Sequence, residues 1–149
     1  MKNLLAALIL VMTGLPALAT EDIVRVKAGA DVPATMDALE AAVTGAGATV
    51  FARVDHAGGA AKVDMDLAPA QLLIFGNPKL GTPAMQDDPL AGLYLPLKVL
   101  VYQDAEGQTW LAYEDPKEML DGLQVPADAE YLKKMTGALA KLTGKAAGN

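Results

Sequence analysis

The stretch from Gln71 to Gln86 constrains the fold more than any other. Four consecutive apolar residues, Leu72 to Phe75, are followed at once by a segment rich in glycine and proline, Gly76 to Gln86. A short, unbroken apolar run is typical of a strand that is covered on both faces. The glycines and prolines behind it favour a rigid turn. The sequence therefore predicts a buried central strand with a structured loop leaving its end.

Four further segments alternate apolar and polar residues, which predicts half-buried strands. The last two are separated by Ala105, Glu106 and Gly107, and Gly107 suits the positive φ of a short hairpin loop. The connection between the second strand and the buried strand is poorly patterned and has room for one short helical turn. The alternating segments are residues 22–28, 48–56, 97–104 and 108–115.

Two segments show helical periodicity. The first has Asp31 as a cap and Pro33 in its first turn, and it ends at Gly45 or Gly47. The second lies near the C-terminus, with a buried stripe at Leu132, Met135, Leu139 and Leu142. The order strand, helix, four strands, helix predicts an α+β, two-layer domain. Its sheet is five-stranded and mainly antiparallel, with the two helices on one face.

The N-terminal residues 1–19 have the pattern of a cleaved signal peptide. Lys2 is followed by an apolar run, Leu4 to Met12, and Ala17-Leu18-Ala19 matches a cleavage site. The run is too short to cross a hydrocarbon core of about 30 Å as a helix. With no cysteine in the chain, a lipid anchor on cysteine is excluded. We therefore expect a bacterial protein that is periplasmic or secreted, with residues 20–149 forming one domain that has no membrane contact after cleavage.

The charge pattern argues against nucleic acid as a partner. The formal net charge is −6, and the sequence contains no cluster of lysine and arginine that could follow a phosphate backbone.

The sequence offers few groups for metal binding or nucleophilic catalysis. His56 is the only histidine, and the chain contains neither cysteine nor serine. One histidine is too few for a typical zinc site, and the acidic residues lack the spacing of a calcium loop. Met65 and Met85 are too isolated to indicate copper. We expect neither a metal nor a cofactor.

Residues Gly76 to Thr82 approach the pattern of a phosphate-binding loop but depart from it where the chemistry matters. Thr82 stands where the phosphate-binding lysine follows the second glycine, and Pro78 and Pro83 remove two backbone donors. A structural turn is the better interpretation of this segment.

Together these segments resemble the domain-of-unknown-function 302 family. The resemblance rests on Asp55-His56, "LLIFGNPKLGTPAMQ" (72–86), "LPLKVLVYQD" (95–104) and "YEDP" (113–116). It implies a β-α-β4-α fold of the TATA-binding-protein-like type and implies no activity. Glu114 and Tyr94 depart from the family pattern, where asparagine and aspartate are expected.

The sequence favours a non-catalytic module that binds a small ligand near the Gly76–Gln86 loop and His56. The strongest candidate contacts are His56, Asn77 and Lys79, followed by Thr82, Gln86 and Glu114. One alternative is an enzyme of unknown type, in which His56 is the general acid or base and Asp55 orients its ring. Another is a homodimer formed through "LYLPLKVLV" (93–101) as an exposed edge strand.

Overall fold

A computed structural model describes residues 22–148. Five strands form one antiparallel sheet in the order β1-β5-β4-β3-β2. This confirms the α+β class and the predicted sheet. The signal peptide predicted for residues 1–19 lies outside the described residues. The strands are β1 (Ile23–Lys27), β2 (Thr49–Asp55), β3 (Ala70–Gly76), β4 (Leu97–Gln103) and β5 (Thr109–Glu114).

The two predicted helices are present and are the longest of the described residues. Helix α1 begins after the cap Asp31, whose side chain accepts from the N–H of Ala34, and the C-terminal helix buries the predicted leucine and methionine stripe. Three shorter helices and one 3₁₀ helix (Pro89–Leu93) lie in the connections between these elements. The helices are α1 (Val32–Gly45), α2 (His56–Ala61), α3 (Pro78–Asp87), α4 (Pro116–Met119) and α5 (Glu130–Ala147).

The core lies between one face of the sheet and helices α1 and α5. Alternate residues of β3, β4 and β5 point to that face, among them Leu73, Val99 and Leu111, which are fully buried. Met36 of α1 and Leu139 of α5 close the core from the other side. The helices therefore cover one face of the sheet, as predicted.

Two expectations about individual strands are wrong. The middle strand is β4, while β3 lies beside the edge strand β2 and is covered on one face only, since Leu72 and Ile74 stay partly exposed. Periodicity cannot distinguish a strand covered twice from a strand whose second face is apolar and open. The edge-strand dimer through residues 93–101 is also excluded, because β4 pairs with β3 and β5 on its two sides.

The predicted rigid loop after β3 is a helix. Asn77 caps α3 by accepting from the N–H of Lys79, and Pro78 occupies the first turn, where its missing N–H costs little. Pro83 lies inside the helix and removes one internal hydrogen bond. The fully buried Ala84 anchors the helix to the core. Tertiary packing thus outweighs the turn propensity of glycine and proline.

Candidate functional site

An apolar cavity lies beneath α3, where β3 ends. It has a volume of about 380 Å³ and is bounded by α3, the start of β4 and the inner side of α5. Its floor is formed by Met135 and Leu97, both buried, and its walls by Leu80 and Leu95. The remaining lining residues are Phe51, Gly76, Asn77, Pro78, Gly81, Thr82, Met85 and Pro96.

The mouth of the cavity carries exposed apolar side chains. Phe51 is 58% exposed and Met85 39% exposed. A methyl group added at Gly76 would lie 3.4 Å from both Phe51 and Pro96. Glycine at this position therefore keeps the entrance open. Exposed apolar groups at the rim of an apolar cavity are typical of a binding site for an uncharged ligand.

Two polar side chains line the cavity, and neither is charged. The Oδ1 of Asn77 accepts from the backbone N–H of Lys79 at 3.0 Å, so that the amide Nδ2 is the group it can offer a ligand. Thr82 adds a hydroxyl group on the next turn of α3. These two groups could bind a carbonyl or hydroxyl oxygen, whereas a charged ligand would lack a counter-ion.

The C-terminal end of α3 is fixed to the rest of the molecule by two carboxylates. Asp87 accepts from the Oη of Tyr131 on α5 at 2.7 Å. Burial and this hydrogen bond raise the pKa of Tyr131 to about 12. Asp88 accepts from the backbone N–H groups of Gln124 (3.0 Å) and Leu90 (2.9 Å), which lower the pKa of its carboxyl group. The roof of the cavity is thus held at both ends.

His56 lies at the opposite end of β3. The register pairs Asp55 with Gln71 and Thr49 with Gly76, so His56 and Asn77 are separated by nearly the whole strand, about 20 Å at 3.3 Å per residue. The carboxylate of Asp55 caps α2 by accepting from the N–H of Gly58 at 2.9 Å. His56 itself is exposed and opens that helix. The structure therefore separates His56 from the segment that follows β3.

The other predicted contacts divide between two places. Asn77 and Thr82 line the cavity, whereas the exposed Lys79 and Gln86 lie on α3 outside its lining. Glu114 lines a different cavity of about 280 Å³, between β4 and β5, together with Lys98, Leu72 and Leu100. Within residues 22–148, no group of three or more His, Asp or Glu side chains is arranged to hold a metal ion.

Sequence reasoning missed most of the residues that form the cavity. Met135 and Leu97 have the periodicity of ordinary core residues, and nothing in that pattern marks them as a cavity floor. Phe51 follows the alternation of β2, although the register shifts between Val50 and Ala52 and leaves its ring exposed at the mouth. The one usable signal was the Gly76–Gln86 segment itself.

The chain is similar to curated proteins from two Brucella species. It is 34% identical over 128 residues to two proteins named "Fluoride-specific ion channel FluC 1", from Brucella suis and Brucella abortus. The match covers 85% of this chain but only 50% and 47% of those proteins, so the chain spans about half their length. Among residues 22–148, no helix is both long and apolar enough to cross a membrane.

The fold also has a solved counterpart. The crystal structure of an uncharacterized conserved protein from Bacillus stearothermophilus, assigned to DUF302, superimposes with a TM-score of 0.77. It covers 85% of this chain and 99% of that one at 21% sequence identity, which establishes the shared fold. The family described as domain of unknown function DUF302 matches residues 24–142. The chain belongs to the DUF302 family.

Proposed function

We propose that this protein is a non-catalytic module that binds a small, uncharged, mainly apolar ligand in the cavity beneath α3. The observation that carries the proposal is the cavity itself, about 380 Å³ with an apolar floor, an open apolar rim and two neutral polar groups. Known ligand sites have this composition, and their volumes begin at roughly 300 Å³. The predicted export of the chain, which remains an expectation, would place this binding in the periplasm or outside the cell.

The volume and lining define the class of ligand. At about 30 Å³ per water-sized group, the cavity holds on the order of a dozen non-hydrogen atoms. Asn77 and Thr82 suit a single carbonyl or hydroxyl oxygen. Medium-chain alcohols, aldehydes or ketones, or a small aromatic ketone, meet these requirements. Fatty acids do not, because the lining offers no cation for the carboxylate.

A glycine substitution tests the site with a matched control. A side chain at Gly81 would point toward Leu95 and Met85, at 3.7 and 4.0 Å from its first carbon, so Gly81→Leu fills the cavity. Gly137→Leu places the same side chain on α5, where nothing lies within 4 Å. Titration calorimetry with a series of C6 to C12 alcohols should show binding to the parent protein and to Gly137→Leu. Gly81→Leu should bind at least tenfold more weakly.

A second substitution separates polar recognition from folding. Asn77→Asp keeps the oxygen that caps α3 but replaces the free amide donor with a carboxylate oxygen. The variant should unfold at the same urea concentration as the parent while losing affinity for ketones. If the parent protein binds none of these compounds, and mass spectrometry of protein purified from its native host finds no co-purified small molecule, the binding proposal is wrong.

The catalytic alternative is not favoured by any contact of His56. The carboxylate that was expected to orient its ring is used as a helix cap, and the ring does not line the cavity.

The Brucella relatives suggest a second, broader role. They are about twice as long as the matched region, and the equivalent region here has no membrane-spanning helix among its described residues. We infer that channel activity lies in the other half of those proteins and that a domain like this one is an accessory to it. Fluoride efflux from liposomes reconstituted with a Brucella protein, with and without the matched half, tests this inference. Unchanged rate and unchanged regulation on deletion would contradict it.

A further inference from the structure

The face of the sheet opposite α1 and α5 has an apolar centre with charged residues around it, and its side chains alternate with those of the core. We call it the open face. Leu100 lies near its centre, flanked by Leu72 of β3 and Ala112 of β5 through the register of the sheet. These side chains stay partly exposed, and Val54 at one margin is 37% exposed. The open face also includes Ile23, Arg25, Lys27, Ile74, Lys98, Tyr102, Trp110 and Glu114.

The composition of β3 requires an explanation that the chain alone does not supply. A sheet with one face in water normally alternates apolar and polar residues, whereas an unbroken apolar run is typical of strands covered twice. In β3 the run Leu72–Phe75 is unbroken, yet α1 and α5 cover only the side of Leu73 and Phe75. The remaining apolar side chains are explained if a second protein surface covers the open face.

We propose that two copies of this chain pack open face against open face, about a two-fold axis that runs parallel to the strands between β4 and β5. Closed two-fold pairs are the commonest oligomers, and sheets stack about 10 Å apart with strands within about 30° of each other. This axis places β4 of one copy over β5 of the other. Leu100 then faces Ala112, and Tyr102 faces Trp110, of the opposite copy.

This axis pairs one opposite charge across the interface, whereas Arg25 lies over Leu72 of the opposite copy. Lys98 of one copy lies over Glu114 of the other, because the two residues occupy the same level of neighbouring strands. Glu114 is exposed, and Lys98 donates to the backbone oxygens of Tyr94 and Pro96. Lys27 of β1 lies over Ala70, the first residue of β3, in the opposite copy.

The aromatic corner of the open face is already ordered for an interface. The indole Nε1 of Trp110 donates to Asp104 at 2.7 Å, and the guanidinium carbon of Arg25 lies 4.5 Å from the centre of a Trp110 ring. Trp, Tyr and Arg are the residues most enriched at the energetic centres of interfaces. A side chain held in one conformation before binding loses little entropy on association.

The overlap of the two sheets gives a small interface, of the size found in weak and transient complexes. Four overlapping strands about 4.8 Å apart and about 20 Å long give on the order of 400 Å² per copy before the relief of the side chains is counted. The total lies at the small end of specific interfaces, roughly 1,200 Å² or less. We therefore expect a dimer with a Kd in the micromolar range.

Sedimentation equilibrium of the chain, recovered from cells that express the whole sequence, tests the proposal. The parent protein should be dimeric at 100 µM and dissociate on dilution. Leu100→Asp should be monomeric at that concentration with an unchanged far-ultraviolet circular dichroism spectrum. Leu93→Asp, at a residue that is 79% exposed but outside the open face, should dimerise like the parent. A parent protein that is monomeric at 100 µM, or a Leu100→Asp variant that dimerises as tightly, would overturn the proposal.

A charge exchange tests the axis and does not depend on the leucine variant being folded. Lys98→Glu and Glu114→Lys should each raise the Kd at least tenfold, and the double variant should recover most of the loss. As an independent readout, mixed Leu100→Cys and Ala112→Cys proteins should be joined by a short bismaleimide, since the parent chain has no cysteine. Mixing with Leu93→Cys should give no such product. Failure of both the charge rescue and the cross-link would exclude this packing.

Discussion

Strands β2 and β3 each run into a helix through an Asx cap, and the two caps lie at opposite ends of the β2–β3 pair. At the first junction, Asp55 caps α2, a six-residue helix with no buried residue. At the second, Asn77 caps α3, a ten-residue helix with a buried alanine and a cavity beneath it. The local chemistry is nearly the same at both. The difference shows that a cap fixes where a helix begins, whereas packing decides whether the helix forms part of a site.

The anchoring of α3 gives the largest expected difference between the junctions. Ala84 is fully buried, so Ala84→Asp places a carboxylate in the core without a partner, at an expected cost of about 3 kcal/mol or more in the free energy of unfolding. Ala61→Asp, at the exposed end of α2, should cost no more than about 0.5 kcal/mol. Urea unfolding of both variants provides the measurement. Equal losses would show that the two helices are anchored alike.

The cap of α2 gives the next largest effect. The effect of Gly58→Ala on the free energy of unfolding should change sign when the cap Asp55 is removed. A methyl group at Gly58 would lie 2.5 Å from the Oδ2 of Asp55, so Gly58→Ala must displace the capping carboxylate. Asp55→Ala should cost about 1 kcal/mol as an ordinary cap loss. In the parent, Gly58→Ala should therefore be neutral or destabilising. In the Asp55→Ala background it should stabilise by up to about 1 kcal/mol, because alanine favours the helix and the clash is gone.

The same pair of measurements at Gly59 should show no coupling to Asp55, because an added methyl group there would not contact the cap. Gly59 has nothing within 4 Å of an added methyl group. Gly59→Ala should have the same effect with and without Asp55, and a background-dependent effect of this control would contradict the assignment of the clash. Chemical denaturation of the six proteins completes the comparison.

The tether of α3 to α5 should weaken at alkaline pH. The pKa of Tyr131 is raised from its ordinary value of 10.0 to about 12, so the folded state favours the neutral phenol that donates to Asp87. Its contribution is fully present below pH 10, and it is lost as the pH rises from 10 through 12. Tyr131→Phe should lower the Tm by a few degrees at pH 8, and this difference from the parent should disappear toward pH 12. A difference that stays constant over this range would contradict the role of the phenol proton.

Much of the framework was predictable because it depends on local periodicity. Each of these patterns is compatible with one local structure, and that local structure is present. They are the alternation of β1, β2, β4 and β5, the Asp31 cap and the apolar stripe on α5. Gly107 has the positive φ expected of the hairpin loop, at 80°. These features depend on residues within a few positions of one another, so a single sequence is sufficient to find them.

The sequence indicated the region of the site but not most of the residues that line it. Asn77 and Thr82 were found because they lie in the unusual segment after β3, but the same segment suggested a turn because its helix depends on Ala84 reaching a distant core. His56 was grouped with them through its chemistry, although strand register decides its position and register is a property of the folded sheet. Leu97 and Met135 meet in the cavity from elements far apart in sequence, and no local pattern records that contact.

The smallest expected effect is that of His56→Ala, and it separates the two junctions most directly. The side chain is exposed, makes no hydrogen bond in the structure of residues 22–148, and lies about 20 Å from the cavity by strand geometry. Its removal should change the free energy of unfolding by less than about 0.5 kcal/mol. The affinity for any ligand whose binding Gly81→Leu weakens should be unchanged in His56→Ala. A tenfold loss of that binding in His56→Ala, with stability preserved, would mean that the imidazole acts on the site beneath α3 after all, and that the strand register does not describe the functional form of the protein.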